Sequence, residues 1–263
     1  MTEAELARYA RQLVLPGVGE EGQERLGRSS VLVVGAGGLG SPALLYLAAV
    51  GVGRIGVVEP DRVELSNLNR QILYTEADLG RPKAEVARER LLALNPHIEV
   101  EAYPERFSAA LADRLVPEYD LLLDASDNFP TRYLANDAAV IHDRPLVHGA
   151  VYRYEGRVSV FHYQGGPCYR CLFPRPPRRP AGGEAGVLGT LPGVIGALMA
   201  AEAVKVLLGL GEPLSGRLLI YDTLHAEFRR LSFPRDPACP VCGESPSIEK
   251  LSEDIYKDFC QGE

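Results

Sequence analysis

A glycine-rich turn with acidic residues at a set distance beyond it is the first feature of this 263-residue sequence that could do chemistry. The turn, Gly35–Gly40, has the pattern G-x-G-x-x-G and directly follows the apolar run Val31–Val34. A helical segment comes next, and then a second apolar run that leads into Glu59 and Asp61. Strand, glycine turn, helix, strand and acid in this order are typical of a nucleotide-binding unit.

This unit is suited to binding phosphate. Glycines let the backbone approach a phosphate closely, and a helix N-terminus presents unpaired N–H groups with about half a positive charge. A carboxylate at the end of the second strand can accept hydrogen bonds from ribose hydroxyls. The alternative is a structural turn without a ligand, and the motif does not say which nucleotide would bind. A nicotinamide dehydrogenase would use the same device.

A second group of polar residues follows this unit. The segment Ser66–Gln71 reads S-N-L-N-R-Q, and Lys83 comes twelve residues after it. Arg70 and Lys83 lie beyond the second strand, on the side where a bound nucleotide would place its phosphates. Asp127 and Asn128 follow a later strand and face the same crevice, where a carboxylate could hold magnesium across phosphates. The alternatives are solvated surface charges for the two basic residues and a helix N-cap for the acidic pair.

Four of the five cysteines form two C-x-x-C pairs, Cys168 with Cys171 and Cys239 with Cys242. Four thiolates complete a tetrahedral zinc site when the fold brings two such pairs together, and no position is then left for water or substrate. We therefore predict a structural zinc site. A redox C-x-x-C motif and plain buried cysteines are the alternatives.

The elements that must position these residues alternate between helical and strand patterns as far as about residue 151, after one or two short helices in residues 3–27. This alternation predicts an α/β fold with a doubly wound, Rossmann-like, mainly parallel sheet. From Arg157 the pattern changes to strand pairs, which predicts antiparallel C-terminal strands. An apolar helix lies between them at 192–208. It contains Glu202 and Lys205, and such charges cost roughly 2.5–3.5 kcal/mol each at a bilayer centre, so a buried helix is the better interpretation.

Composition narrows the classes of function and the location. The formal net charge of −7 disfavours a broad nucleic-acid-binding surface. The N-terminal segment MTEAELARYARQ contains acids and no apolar run, so it does not resemble a secretory signal. We expect a cytoplasmic protein that binds neither nucleic acid nor membrane. In the cytoplasm, paired cysteines are more often metal ligands than disulfides.

Motifs along nearly the whole chain match one family in order. They are RYARQ at Arg8–Gln12, GAGGLGS at Gly35–Ser41, LSNLNRQ at Leu65–Gln71, GRPKAE at Gly80–Glu85, DASDN at Asp124–Asn128, CYRCLFP at Cys168–Pro174, EAGVLG at Glu184–Gly189, PGVIGALMAAEAVK at Pro192–Lys205 and CPVCG at Cys239–Gly243. With these motifs the chain resembles the MoeB/ThiF family of ubiquitin-activating-enzyme-like adenylyltransferases. The similarity is nearest to the bacterial enzymes and to the zinc-bearing adenylation half of their eukaryotic sulfur-transfer relatives.

The resemblance implies that MgATP is used to adenylate the C-terminal Gly-Gly carboxylate of a small ubiquitin-like sulfur carrier of the MoaD/ThiS type. Arg11 would reach into the partner subunit's site, which implies a homodimer, and Arg70, Lys83 and Asp127 would be the other catalytic residues. Asp127 would hold magnesium, with Asn128 beside it. The nucleotide would be contacted by these residues and by Gly38, Glu59, Asp61, Ser66, Asn67, Leu68 and Asn69. Glu59 would hold the ribose at a position that is commonly Asp in the family.

A single adenylation domain over residues 1–263 follows from the resemblance. Its expected parts are N-terminal helices for the dimer (1–30), a nucleotide-binding half (31–155), a carrier-binding half with the cysteine pairs (156–243) and a tail (244–263). Many relatives carry a cysteine just before E-A-G-V, where this chain has Gly182-Gly183, so a thioester or acyl-disulfide step there is not expected. Cys260 is given no role. Sulfur is expected from a separate donor of the cysteine desulfurase or rhodanese type.

Three other functions remain open at this stage. A nicotinamide-dependent oxidoreductase would use the same glycine turn, but it gives Arg70, Lys83 and the cysteine pairs no shared purpose. A scaffold that docks a ubiquitin-like protein without chemistry is the second. An enzyme that activates a carboxylate on modified tRNA is the third, and the net acidity disfavours it. The five histidines are interpreted as packing or surface residues.

Overall fold

The computed structural model describes residues 1–176 and 186–257, which fold around one central sheet. Its strands are β1 (Ser30–Val34), β2 (Arg54–Val58), β3 (Glu99–Tyr103), β4 (Leu121–Asp124), β5 (Leu146–Tyr152), β6 (Glu155–Phe161), β7 (Arg217–Asp222) and β8 (Glu227–Ser232). The helices are α1 (Glu3–Leu13), α2 (Gly19–Arg28), α3 (Gly40–Val50), α4 (Lys83–Leu94), α5 (Ala109–Leu115), α6 (Phe129–Ile141), α7 (Tyr169–Leu172) and α8 (Leu191–Leu208).

The eight strands lie in the order β3-β2-β1-β4-β5-β6-β7-β8. The pairs from β3 to β5 are parallel, whereas β5-β6, β6-β7 and β7-β8 are antiparallel. The prediction of a mainly parallel sheet with antiparallel C-terminal strands is therefore confirmed. Short α7, which Cys168 precedes and which contains Cys171, was not expected from the sequence.

Helices cover the sheet on both faces, as the doubly wound prediction requires. Core residues of α3, α4 and α8 pack with Val31 and Val33 on one face. Core residues of α5 and α6 pack with Leu32 and Val34 on the other face. Because successive side chains of β1 point to opposite faces and both faces are covered, its sequence is continuously apolar.

Helix α3 follows the glycine turn and is apolar almost throughout, since it lies between the sheet and α8. It ends at Gly51, whose φ of 88° is the left-handed conformation expected of a glycine after a helix. Tyr9 of α1 packs against Gly51, where an added Cβ would stand 2.6 Å from the Tyr9 hydroxyl oxygen.

Helix α8 is long and apolar enough to cross a membrane, but 61% of it is buried within the fold. It packs on α3, β5 and β6, and its charged residues have partners in the chain. The Glu202 carboxylate accepts hydrogen bonds from the Lys205 ammonium at 2.7 Å and from the Leu214 amide at 2.8 Å. This is the arrangement of a core helix, as the sequence indicated.

Candidate active site

The candidate site lies where the first parallel strands end together. Val34 of β1 pairs with Val58 of β2 and with Asp124 of β4, so the residues after all three strands begin at one edge of the sheet. The chain turns to opposite sides beyond β1 and β4, which makes the space between them the topological switch point. Open α/β sheets bind ligands in the crevice at such a point.

The glycine turn fits this crevice because its backbone is packed too closely for side chains. Gly35 has a φ of +94°, and a Cβ on it would stand 2.9 Å from the carbonyl oxygen of Ala125, just beyond β4. A Cβ on Gly40 would overlap the Gly35 carbonyl oxygen at 2.0 Å. Helix α3 begins at Gly40, and the preceding Leu39 supplies no side-chain cap. Within α3 the Ser41 amide donates to the Gly37 carbonyl at 2.9 Å, and Pro42 has no N–H. The amides of Gly38, Leu39 and Gly40 have no hydrogen-bond partner within the described chain, so they are the ones available to a phosphate.

Glu59 holds the turn in place from the end of β2. Its side chain is buried, and its two oxygens accept hydrogen bonds from the Ala36 amide at 2.8 Å and the Asp61 amide at 3.0 Å. Burial raises the pKa of Glu59, and the two amide hydrogen bonds partly offset that rise. A carboxylate oxygen that accepts one hydrogen bond keeps a second lone pair. The predicted contact with a ribose is therefore compatible with this bracing role.

Lys83 begins α4 and reaches toward the same edge. Its side chain is buried, and its ammonium lies 3.4 Å from the carboxylate of Asp61, which is itself 66% exposed. The two residues are also joined by the Lys83 amide, which donates to the Asp61 carbonyl at 2.9 Å. A buried ammonium with one exposed counter-charge is suited to receive a second anion such as a phosphate.

The segment from Ser66 to Arg70 crosses above the glycine turn. Arg70 is half-buried, and its guanidinium donates to the Ser66 carbonyl and to the Asn69 side chain, both at 3.0 Å. A Cβ on Gly38 would stand 3.5 Å from Cγ of Arg70, so the Arg70 stem lies against the turn. Asn67 is buried, and its side-chain carbonyl accepts from the amide of Glu64. Leu68 packs against the core.

Gln71 is a residue of this segment that the sequence did not single out. Its side chain is buried, and its Oε1 has no hydrogen-bond partner among the described residues. A Cβ on Gly37 would stand 3.5 Å from Gln71 Nε2, so the amide lies beside the turn. Buried polar atoms are normally paired, and a ligand in the crevice would supply the missing partner. The motif S-N-L-N-R-Q already contained this residue.

Asp127 and Asn128 differ in what they do within the chain. The Asn128 side-chain oxygen accepts from the Thr131 amide at 3.0 Å and caps α6, so the N-cap alternative is confirmed for Asn128. Asp127 is exposed, and its Oδ1 accepts a long hydrogen bond of 3.4 Å from Asn128 Nδ2. The Asp127 carboxylate is therefore open for a cation.

Arg11 is not brought to this site within one chain. Helix α1 is anchored by Tyr9, whose hydroxyl accepts a hydrogen bond from the Asn95 side chain at 2.9 Å, and by Arg8, which donates to the Leu94 carbonyl. Arg11 is exposed and forms no ion pair within the described residues. Its predicted role in a partner subunit's site stays a prediction.

The four predicted cysteines converge. Their sulfur atoms all lie within 4.8 Å of one another, with separations of 3.9 Å for Cys168–Cys171, 3.5 Å for Cys168–Cys239 and 3.4 Å for Cys171–Cys242. Four thiolates at 2.3 Å from a tetrahedral zinc ion would be about 3.8 Å apart. The cluster thus fits a metal of this kind. The amide of Asp236 also donates to the Cys171 sulfur at 3.4 Å, as supporting hydrogen bonds to metal ligands do.

The first cysteine pair is tied to α6, whose N-terminus follows Asp127. The Tyr169 amide donates to the Asn136 side chain at 2.6 Å. Arg170, which stands between Cys168 and Cys171 in the chain, is buried and forms a bidentate ion pair with the fully buried Asp137 at 2.7 and 2.6 Å.

Two features named in the sequence analysis lie outside the described residues. They are Cys260 and the loop with Gly182, Gly183 and Glu184.

Comparison with known proteins agrees with this geometry. The model of the ThiF family matches residues 9–241. A sulfur carrier protein adenylyltransferase of Thermus thermophilus is 60% identical over 98% of this chain and 98% of its own length. The adenylyltransferase and sulfurtransferase MOCS3 of Anopheles gambiae and that of Sus scrofa are each 48% identical, and the chain spans about 58% of their length.

Solved structures share the fold at lower identity. The E. coli MccB structure with ATP has a TM-score of 0.78 at 24% identity, covering 90% of this chain and 73% of MccB. The MccB structure with MccA-N7isoASN has a TM-score of 0.80 at 23% identity, covering 91% of this chain and 75% of MccB. The match to the family model and the identity to full-length relatives show that the chain belongs to the ThiF family.

Proposed function

We propose that this protein adenylates the C-terminal Gly-Gly carboxylate of a small ubiquitin-like sulfur carrier with ATP, releasing pyrophosphate. The observation that supports this most is the convergence of basic and acidic groups on the glycine turn at the switch point. Arg70 lies against the turn, Lys83 is buried beside Asp61, and Asp127 follows the strand that packs on Gly35. The name of the 60% identical relative supports the same reaction.

The reaction requires positioning and charge neutralisation rather than a side-chain base. A C-terminal carboxylate has an unperturbed pKa of roughly 3.3–3.7, so it is ionised at pH 7 and can attack the α-phosphorus directly. The new C–O–P link forms as the bond from the α-phosphorus to pyrophosphate breaks, and no proton has to be removed. Arg70 and Lys83 would offset the negative charge of the transferring and leaving phosphates.

The remaining nucleotide contacts follow from the geometry of the turn. The backbone amides of the turn from Gly38 to Gly40 would face the phosphates, and Glu59 would hold the ribose with its free lone pairs. Ser66, Asn67, Leu68 and Asn69 would line the crevice beside Arg70. Asp127, with Asn128 next to it, would hold magnesium, whose charge would offset that of the phosphates.

The cysteine cluster would bind one structural zinc ion. Four sulfur ligands leave no open position, so the metal would stabilise the fold around α7 and take no part in the reaction. The C-terminal half that contains it (156–243) would bind the carrier, and the nucleotide would lie in the first half (31–155) of a single adenylation domain.

The assembly we propose is a homodimer in the cytoplasm. Helices of residues 1–30 would contribute to the interface and deliver Arg11 to the partner subunit's nucleotide site. The activated carrier would then receive sulfur from a separate donor protein of the desulfurase or rhodanese type.

Carrier-dependent exchange of labelled pyrophosphate into ATP tests the function. We expect exchange only with a carrier that ends in Gly-Gly and in the presence of Mg²⁺, and none with the same carrier truncated by one residue. Asp127→Ala and Arg70→Ala should each abolish exchange. Asp127 is exposed and Arg70 is only half-buried, so both variants should remain folded, as a cooperative thermal unfolding curve would show. Absence of exchange with every carrier of the same organism would refute the proposal.

Two other functions make different predictions in the same samples. An oxidoreductase would bind NAD in preference to ATP, and a docking scaffold would bind the carrier without any ATP-dependent step. Binding of ATP, NAD and carrier, each measured by calorimetry, separates the three.

A further inference from the structure

A buried histidine–aspartate pair lies directly behind the candidate site. Asp124 is the last residue of β4 and is fully buried, and His148 is paired with it on the neighbouring strand β5. His148 Nδ1 lies 2.8 Å from Asp124 Oδ2. Burial lowers the pKa of His148. Burial acts to raise the pKa of Asp124, but the hydrogen bonds from His148 and Ser126 and the charges of His148 and Arg132 together lower it. The pair is thus a carboxylate with a neutral imidazole that donates from Nδ1.

The other oxygen of Asp124 holds the segment that leads to Asp127. Asp124 Oδ1 accepts hydrogen bonds from the Ser126 amide at 3.0 Å and from the Ser126 hydroxyl at 2.6 Å. The Ser126 carbonyl in turn accepts from the Arg132 guanidinium at 3.4 and 3.2 Å. Ser126 is therefore fixed at its amide, hydroxyl and carbonyl. Asp127 follows Ser126 and precedes the residue that caps α6, so its backbone is held on both sides.

His148 is itself immobilised by aromatic packing. Its ring meets Tyr169 edge-on at 4.9 Å between centroids, and Phe161 lies 6.0 Å away on the neighbouring strand β6. Loss of the Nδ1 donor would leave Asp124 Oδ2 buried without its hydrogen bond. A buried carboxylate in that condition rotates or takes up a proton, and either change weakens its grip on Ser126.

We propose that His148 is a positioning residue, which acts through Asp124 and Ser126 to present the Asp127 carboxylate to the magnesium of MgATP. His148 is buried behind Asp124 and would touch neither nucleotide nor metal. The proposal rests on the adenylation function above, because it needs Asp127 as the magnesium ligand. Residues that orient metal ligands through hydrogen bonds typically change metal affinity or activity by about 10–100-fold when they are replaced.

Two substitutions at this position separate the hydrogen bond from packing. His148→Phe keeps an aromatic ring against Tyr169 and Phe161 but has no donor, whereas His148→Asn places an N–H donor close to the position of Nδ1. The matched control is His162→Phe. His162 pairs with Asp143 at 3.0 Å and follows β6 at the opposite edge of the sheet.

Calorimetry of ATP binding, with Mg²⁺ and with EDTA, is the primary test. We expect His148→Phe to weaken binding of MgATP about 10–100-fold, to leave metal-free ATP binding unchanged, and to raise the Mg²⁺ concentration for half-maximal pyrophosphate exchange by a similar factor. His148→Asn should recover most of the loss, and the control should match wild type. Ser126→Ala, which removes one hydrogen bond to Asp124, should shift Mg²⁺ dependence in the same direction and decides the matter if His148→Phe does not fold.

Three results would overturn the proposal. They are wild-type MgATP binding in a folded His148→Phe protein, equal loss of ATP binding with and without metal, and failure of His148→Asn to recover affinity. A wild-type protein that binds MgATP but shows no exchange with any carrier would instead refute the proposed function, and the binding measurements would still decide the role of His148.

Discussion

The buried ion pair between Arg170 and Asp137 offers a test of how the cysteine cluster is joined to the nucleotide site. Arg170 lies between two cluster cysteines and Asp137 lies on α6, and both side chains are at most 5% exposed. Asp137 also accepts hydrogen bonds from the Tyr256 hydroxyl at 2.9 Å and the Asn136 side chain at 3.0 Å. The guanidinium stands over the ring of Tyr133, 4.7 Å from its centroid.

Arg170→Met should be strongly destabilising because it leaves a carboxylate buried without its cation. Removing one partner of such a pair costs about 3–5 kcal/mol. At about 2–4 °C per kcal/mol for a domain near this size, the midpoint of thermal unfolding should fall by about 6–20 °C. The double variant Arg170→Met/Asp137→Leu removes both charges and should recover most of that loss, since apolar replacement of a whole buried pair is often neutral.

Urea unfolding followed by circular dichroism gives the free energies, and the metal content of each sample shows whether the cysteine cluster stays loaded. Arg157→Met is the matched control. Arg157 pairs with Glu155 at 2.6 Å in a solvent-exposed position, and such pairs contribute at most about 1 kcal/mol. A loss below about 1 kcal/mol for Arg170→Met, or a double variant as unstable as the single one, would refute the reasoning.

Three further predictions concern the dimer, the metal and acid stability. Mixed dimers of Arg11→Ala and Asp127→Ala chains should recover part of the pyrophosphate exchange that each variant lacks. One of their two sites would combine the intact Asp127 of one chain with the intact Arg11 of the other. Inactive heterodimers of verified composition would contradict a shared site. Purified protein should contain one zinc ion per chain. Cys239→Ser or a strong chelator should remove the zinc and lower the midpoint of thermal unfolding. A metal-free protein of unchanged stability would show that the cluster is not a zinc site. Burial raises the pKa of Asp78, but the Arg90 hydrogen bond and its neighbours lower it to about 2 in the folded chain. The unfolded value is about 3.9, so this side chain should stabilise the fold by about 2–3 kcal/mol above pH 4, and the stability difference between wild type and Asp78→Asn should shrink as the pH falls from about 4 to 2. A difference independent of pH would argue against this ionisation.

Much of the fold could be read from local pattern. The run Val31–Val34 is apolar because both faces of β1 are covered. The change from alternating helices and strands to strand pairs at Arg157 marks the antiparallel part of the sheet. The helix end at Gly51 and the N-cap at Ser108 depend on the backbone or side chain of a single residue, so residue type alone indicates them. Short α7 was missed, because four residues carry no periodic signal and the helix is held by contacts from α6.

The candidate site was only partly predictable. The sequence could place Arg70, Lys83 and Asp127 near the glycine turn, because parallel strands deliver the residues that follow them to one edge of the sheet. Their roles in the reaction stay predictions. His148 could not be placed there, since a histidine in an apolar strand carries no sign of what it faces on the next strand. Gln71 stood within a recognised motif, yet its unpaired buried oxygen is visible only when its surroundings are known.

The sequence by itself determined the parallel α/β architecture, the glycine turn for a phosphate, and two cysteine pairs with the chemistry of zinc ligands. Those features depend on residue type and short spacing. The tertiary structure alone decided that the two cysteine pairs, which are 71 residues apart in the chain, bring their sulfur atoms within 4.8 Å of one another. It also decided that Arg170 neutralises Asp137 on α6 and that His148 supports the strand end before Asp127. Such contacts depend on strand order and helix packing, which bring together side chains that are far apart in the chain.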